Sequence, residues 1–277
     1  MQRIIQAAAL AMGVTGGAAG QTLRIVDNPV LGEFLDISET GQMLALGDDQ
    51  EAMLDATFPG NFVLQPGIVV VGINGGVSFG IETVTNLAPV NEELPSRAAF
   101  IGGQAALVLW DDIDDKDGDV FSEVVADPKR GDRLIVQWNV ANFEGTGATL
   151  KFQLQVFDTI APTGIYAQFL YEIEGPATGA GSSATIGYQD GPAGFGDIQF
   201  SFNTPDAVTD GTVLSLMIPG PADLNADGVV DVLDLIDLLA CFGQPSAPPC
   251  EAADINQDGM VNVLDLIELL LKYGTAG

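Results

Sequence analysis

Leu150-Lys151-Phe152-Gln153-Leu154-Gln155-Val156-Phe157 alternates apolar and polar side chains from Leu150 to Val156. Successive residues of a β-strand point to opposite sides. Leu150, Phe152, Leu154 and Val156 therefore share one face, and Lys151, Gln153 and Gln155 the other. Similar runs lie on both sides of it. Upstream are Val69-Val70-Val71, Ala106-Leu107-Val108-Leu109-Trp110 and Arg133-Leu134-Ile135-Val136-Gln137-Trp138. Downstream is Ile165-Tyr166-Ala167-Gln168-Phe169-Leu170-Tyr171. From Thr22 to Ile218 such runs are separated by Gly, Pro, Asn and Asp, with no helical periodicity. This spacing predicts one all-β sandwich of roughly ten or more strands.

Composition narrows the chemistry. The 277 residues include 38 acidic and 9 basic side chains and no histidine, for a formal charge of −29. Without histidine there is no Ser-His-Asp or Cys-His catalysis and no imidazole-bound zinc. So negative a chain repels phosphate backbones, which excludes nucleic acid as a partner, and it disfavours anionic lipid surfaces. Disorder does not explain the acidity, because 47% of residues are hydrophobic and only 17% are charged.

The first residues read as a leader. Arg3 precedes an apolar run from Ile4 to Val14, and Ala18-Ala19-Gly20 offers small residues for cleavage before Gln21. Residues 1–20 are expected to be a signal peptide, which makes the protein secreted, extracellular or held at the cell surface. No later run is long enough for membrane insertion.

At Pro219-Gly220-Pro221 the character changes, and one pattern then occurs twice, 31 residues apart: Asp223-Leu224-Asn225-Ala226-Asp227-Gly228-Val229-Val230-Asp231-Val232-Leu233-Asp234 and Asp254-Ile255-Asn256-Gln257-Asp258-Gly259-Met260-Val261-Asn262-Val263-Leu264-Asp265. Calcium takes six to eight oxygen ligands, which a loop supplies from positions 1, 3, 5, 7, 9 and 12 around a glycine at position 6. In the first copy these are Asp223, Asn225, Asp227, the carbonyl of Val229, Asp231 and Asp234; in the second they are Asp254, Asn256, Asp258, the carbonyl of Met260, Asn262 and Asp265. Two Ca²⁺ ions are expected. Position 8 is apolar in both (Val230, Val261), which suits two loops that touch through a short backbone pairing. Each loop runs into an apolar helix, but the prolines before each loop leave no entering helix. Calmodulin-like sensing, which needs paired helices, is therefore not expected. Cys241 and Cys250, the only cysteines, lie between the copies and are expected to form a disulfide in an exported protein.

Residues 222–277 resemble a type I dockerin module, a pair of half EF-hands that docks on the cohesin modules of scaffold proteins. The resemblance implies Ca²⁺-dependent attachment, with partner contacts from loop positions 10 and 11 and the helix that follows. Here these positions are Val232-Leu233 and Val263-Leu264, where the best-known members carry hydroxyl residues. The residues leave two uses open for them, partner binding and packing of the two helices. The matching Val-Leu pairs give a near two-fold face that offers either repeat for docking. The expected architecture is mainly β, a β-sandwich followed by a small α-helical dockerin-like calcium-binding module. Its parts are residues 1–20 (leader), 21–218 (β-sandwich), 219–222 (linker) and 223–277 (tandem calcium-binding module).

Within the β region, Phe34 to Gly41, Leu46-Gly47-Asp48-Asp49, Ile73 to Gly80, Leu109 to Asp114, Arg133 to Trp138 and Ala184 to Tyr188 resemble, in that order, a bacterial extracellular domain distantly like nidogen-type domains. The resemblance implies an accessory or adhesive module and carries no catalytic residues. The acidic run Asp111, Asp112, Asp114, Asp115, Asp117, Asp119 could chelate a structural Ca²⁺, but it lacks the loop pattern and reads rather as a solvated turn, with Asp117-Gly118 as a hairpin signal. Asp48-Asp49 reads the same way. Two carboxylates suffice for a glycoside hydrolase, and Trp110 and Trp138 are of a type that stacks on sugars. However, no pair among the acids stands out, and both tryptophans end apolar strands. A secreted non-catalytic protein tethered to a scaffold is the first reading. A polysaccharide-degrading or carbohydrate-binding component of a cellulosome-like assembly, acting in polysaccharide catabolism, is the second. A Ca²⁺-stabilised adhesin capped by its own tail is the third.

Overall fold

The computed structural model describes residues 23–54, 61, 64, 67–80, 89–96, 104–113, 118–126, 132–141, 149–158, 164–174, 180–190 and 196–275. The leader, residues 1–20, lies outside them, as do Asp114, Asp115 and Asp117 of the acidic run. Among the described residues, thirteen strands form two antiparallel sheets. Across the first sheet run β1 (Arg24–Asp27), β13 (Val213–Met217), β10 (Ile165–Glu174), β9 (Thr149–Phe157), β8 (Arg133–Ala141), β7 (Gly118–Val125) and β2 (Gln42–Leu44). Across the second run β12 (Ile198–Phe202), β11 (Thr185–Gln189), β6 (Gln104–Trp110), β5 (Gly76–Phe79), β4 (Val69–Gly72) and β3 (Glu51–Met53). Two helices follow, α1 (Val232–Ala240) and α2 (Val263–Lys272).

The core lies between the sheets, where Leu150, Phe152, Leu154 and Val156 of β9 join Phe79, Val108 and Tyr188. Both tryptophans are buried, Trp138 in this core and Trp110 in a separate cluster. Trp138 stacks on Phe152 with ring centroids 4.9 Å apart and donates through Nε1 to the Gly72 carbonyl, 3.1 Å across the sandwich. Trp110 is fully buried beside Ala105, Leu107 and Leu94. Neither ring reaches the surface, so neither stacks on a sugar.

The other face of β9 is also covered. Gln153 and Gln155, with Gln137 of β8 and Gln168 of β10, are fully buried beneath the segment 31–37, which crosses these strands. Each glutamine serves as a backbone partner for that segment. Gln168 Nε2 donates to Leu31 O (3.0 Å), Gln155 Nε2 to Glu33 O (3.0 Å) and Gln153 Nε2 to Leu35 O, while Gln137 Oε1 accepts from Ile37 N at 2.9 Å.

One local expectation fails. The Asp117-Gly118 pair does not turn a hairpin between its flanking strands, because β6 and β7 belong to different sheets and β7 pairs with β8 and β2. Gly118 opens β7, and a Cβ there would stand 1.6 Å from the Asn139 carbonyl oxygen. The glycine serves close strand approach rather than a turn.

Candidate metal centre

The two acidic loops share most of their internal bonds. At position 1, Asp223 accepts from the N–H groups of Asp227 (3.1 Å) and Gly228 (2.8 Å); its counterpart Asp254 accepts from Asp258 (3.1 Å) and Gly259 (2.9 Å). At position 3, Asn225 and Asn256 each accept from the position-5 N–H at 2.9 Å. Positive φ at Ala226 and Gly228, and at Gln257 and Gly259, turns the chain so that these carboxylates converge. At position 12, Asp234 and Asp265 are fully buried. Asp234 accepts from Leu224 N (2.7 Å) and Asn225 N (3.1 Å) with one oxygen and from Asp231 N (2.7 Å) with the other. Asp265 does the same for Asn256 N (3.1 Å) and Asn262 N (2.8 Å).

Position 9 also starts the helix. Asp231 caps α1 by accepting from Leu233 N, and Asn262 caps α2 by accepting from Leu264 N, each within a reciprocal capping box with the position-12 aspartate. The Asp-x-x-Asp and Asn-x-x-Asp spacing carries this signal in the sequence. A single 3-10 turn at Glu251–Ala253 precedes the second loop, and no helix enters the first.

The electrostatics favour a cation. Burial pushes the Asp223 carboxyl up to about 7, with the charges of Asp234 and Asp227 adding to it against the hydrogen bonds from Gly228 and Asp227. Burial likewise raises Asp234. In the second loop, the Asn262 amide donates to both carboxylate oxygens of Asp258 and to the Met260 carbonyl, so these oxygens face one point. The donors are all oxygen, carboxylate or carbonyl. That set fits a hard divalent ion such as Ca²⁺ and not zinc.

The expected pairing of the two loops at position 8 is replaced by a reciprocal exchange. Val230 bonds to Thr275 (2.9 Å) and Gly274 (2.8 Å), which follow α2; Val261 bonds to Gly243 (2.7 Å) and Gln244 (2.9 Å), which follow α1. Each loop thus pairs with the turn after the other repeat's helix. Cys241 and Cys250 are joined, with Cα atoms 5.5 Å apart. The core of the module is small, with Leu238 and Leu269 fully buried at its centre.

Val232, Leu233, Val263 and Leu264 do not pack the helices together. With Ile236, Leu239, Ile267 and Leu270 they are 44 to 55% exposed. On each helix, residues at i, i+4 and i+7 (Val232, Ile236, Leu239 and Val263, Ile267, Leu270) make one apolar stripe. The second stripe repeats the first at the same 31-residue offset. The Ile and Leu members escaped the sequence reading, although their helical spacing carries the signal.

In the β region, Asp48 and Asp49 form the expected turn, and the structure brings Asp112 within 4.8 Å of them. All three are exposed. Asp111 is instead buried, accepting from Ser183 Oγ at 2.7 Å.

Comparison with known families agrees with this division. A family model described as NIDO related matches residues 30–221. The chain belongs to the NIDO-related family. A second model, the dockerin type I domain, matches residues 221–272. Searches of curated proteins and of solved structures returned no match. The dockerin domain indicates calcium binding and calcium-dependent assembly with cohesin modules. No helix among the described residues is long and apolar enough to cross a membrane.

Proposed function

We propose that this is a secreted, non-catalytic protein whose NIDO-related domain is attached to an extracellular or cell-surface scaffold through its dockerin domain. The dockerin domain holds two Ca²⁺ ions. Asp223, Asn225, Asp227, the Val229 carbonyl, Asp231 and Asp234 hold one; Asp254, Asn256, Asp258, the Met260 carbonyl, Asn262 and Asp265 hold the other. The cations would neutralise carboxylates that the loops force together, taking the segment after Ile218 from a net charge of −9 to −5. The observation that carries the reading is the coincidence of two repeats, in which closely matching loop bonding leads into identical exposed apolar stripes, with Val232, Leu233, Val263 and Leu264 at their head. Such a face buries enough apolar surface to hold a partner only when the loops are fixed in place. Calcium titration of the whole chain should find about two sites. A panel of cohesin modules should then capture it in calcium and release it in chelator. Absence of calcium uptake would remove the basis of this reading.

A second reading has its own support. The first loop rests on the NIDO-related domain, as a tail capping a Ca²⁺-stabilised adhesin would. Failure of every cohesin to bind, with calcium still raising the melting temperature of the NIDO-related domain, would favour it.

A further inference from the structure

The two loops, alike in their internal bonding, differ in what surrounds them. In the second, Gln257, Asp258, Gly259 and Met260 are exposed, and a Cβ added to Gly259 would meet no atom within 4 Å. In the first, the corresponding Ala226, Asp227 and Gly228 are buried. What covers them is the turn after β1. Asn28 is held in place by donating its N–H to Val213 O (3.0 Å) and accepting from Val30 N at its Oδ1 (3.1 Å). Its Nδ2 donates to the Asp227 carbonyl at 3.1 Å. Leu31 and Met217 close over the loop, and a Cβ on Gly228 would lie 2.7 Å from Leu31 Cδ1 and 3.1 Å from Met217 Sδ. Val229, whose carbonyl is a proposed ligand, packs into the same apolar cluster with Val26, Phe157 and Ile165.

We infer that the first calcium site is composite, with Asn28 and Leu31, in the turn after β1 of the β-sandwich, as its positioning residues, and that the second belongs to the dockerin domain alone. This rests on the calcium assignment proposed above. Asn28 fixes the peptide between a ligand side chain, Asp227, and the glycine turn. Leu31 and Met217 fix the peptide before the Val229 carbonyl. A loop already held in shape has less freedom to lose on binding, so the first site takes calcium more tightly. By reciprocity, calcium in the first loop must tighten the contact between the domains, and calcium in the second must not.

The test isolates each site within the whole chain. Asp254→Ala leaves only the first loop competent, and Asp223→Ala only the second. Adding Asn28→Ala and Leu31→Ala should weaken calcium binding about five-fold or more in the Asp254→Ala chain and leave the Asp223→Ala chain unchanged. A second measurement leaves Asn28 and Leu31 intact. Saturating calcium should raise the melting temperature of the NIDO-related domain in the Asp254→Ala chain and not in the Asp223→Ala chain. Equal effects in both chains, or none in either while calcium still binds, overturn the composite site alone. Absence of calcium uptake by both chains overturns the calcium assignment and the composite site with it.

Discussion

Asp234 closes its loop before any cation is considered, through three backbone N–H groups that have no other acceptor in the loop. Asp234→Ala should therefore destabilise the dockerin domain by about 1–2 kcal/mol even in chelator, beyond the loss of calcium. Denaturation in chelator measures this, and a variant as stable as the parent there would mean that Asp234 acts only as a ligand. Asp36 offers a separate titration on the segment covering the sheet. Burial would raise its carboxyl, but hydrogen bonds from Gln137, Lys151 (2.7 Å) and Ser38 outweigh this and hold it well below the ordinary carboxylate range. A depressed value stabilises the fold fully above about pH 4, and the contribution fades as the pH falls further towards the folded-state value. Asp36→Asn should flatten the acid side of the stability curve by no more than about 1 kcal/mol, since the pair is exposed. An unchanged acid limb would show that the pair contributes nothing.

The strand from Thr149 to Phe157 shows what local sequence carries. Its two faces were legible because a period of two is a local property. That Gln153 and Gln155 lie beneath another segment was not, because a glutamine has the same pattern whether water or a backbone amide meets it. Gln153→Leu, which leaves the N–H and carbonyl of Leu35 unpaired, should cost about 1–3 kcal/mol. A loss within a few tenths, by chemical denaturation, would mean that water replaces the amide. The repeated loops stand out in the sequence for the opposite reason: every candidate ligand lies within twelve consecutive positions, and duplication checks the spacing. The helices that follow present equivalent stripes. Ile236→Asp or Ile267→Asp alone should weaken cohesin capture by only about two-fold, by closing one of two orientations, and the pair together should abolish it. Complete loss from one single variant would show that a single orientation is used.

Across the whole molecule, the contacts that escaped the sequence are those between distant segments. Asn28 and Asp227 are 199 residues apart, and no local pattern marks Asn28 as a neighbour of a calcium loop. The Cys241–Cys250 bridge was within reach because only one pairing exists. Opening it with Cys241→Ser and Cys250→Ser should cost the dockerin domain about 2–3 kcal/mol on the chain-entropy estimate, seen as a lower unfolding midpoint in chelator. No shift would place the connector's order in its backbone bonds instead. The reciprocal clasps also impose an order in time. A chain made from its N-terminal end can complete the second loop once Val261 meets Gly243 and Gln244, already present. Val230 of the first loop must wait for Gly274 and Thr275, as β1 must wait for β13. A copy cut short before those residues is left with its first loop open. The turn after α2 thus completes the loop that rests on the other domain, so the first loop closes only after both helices are made.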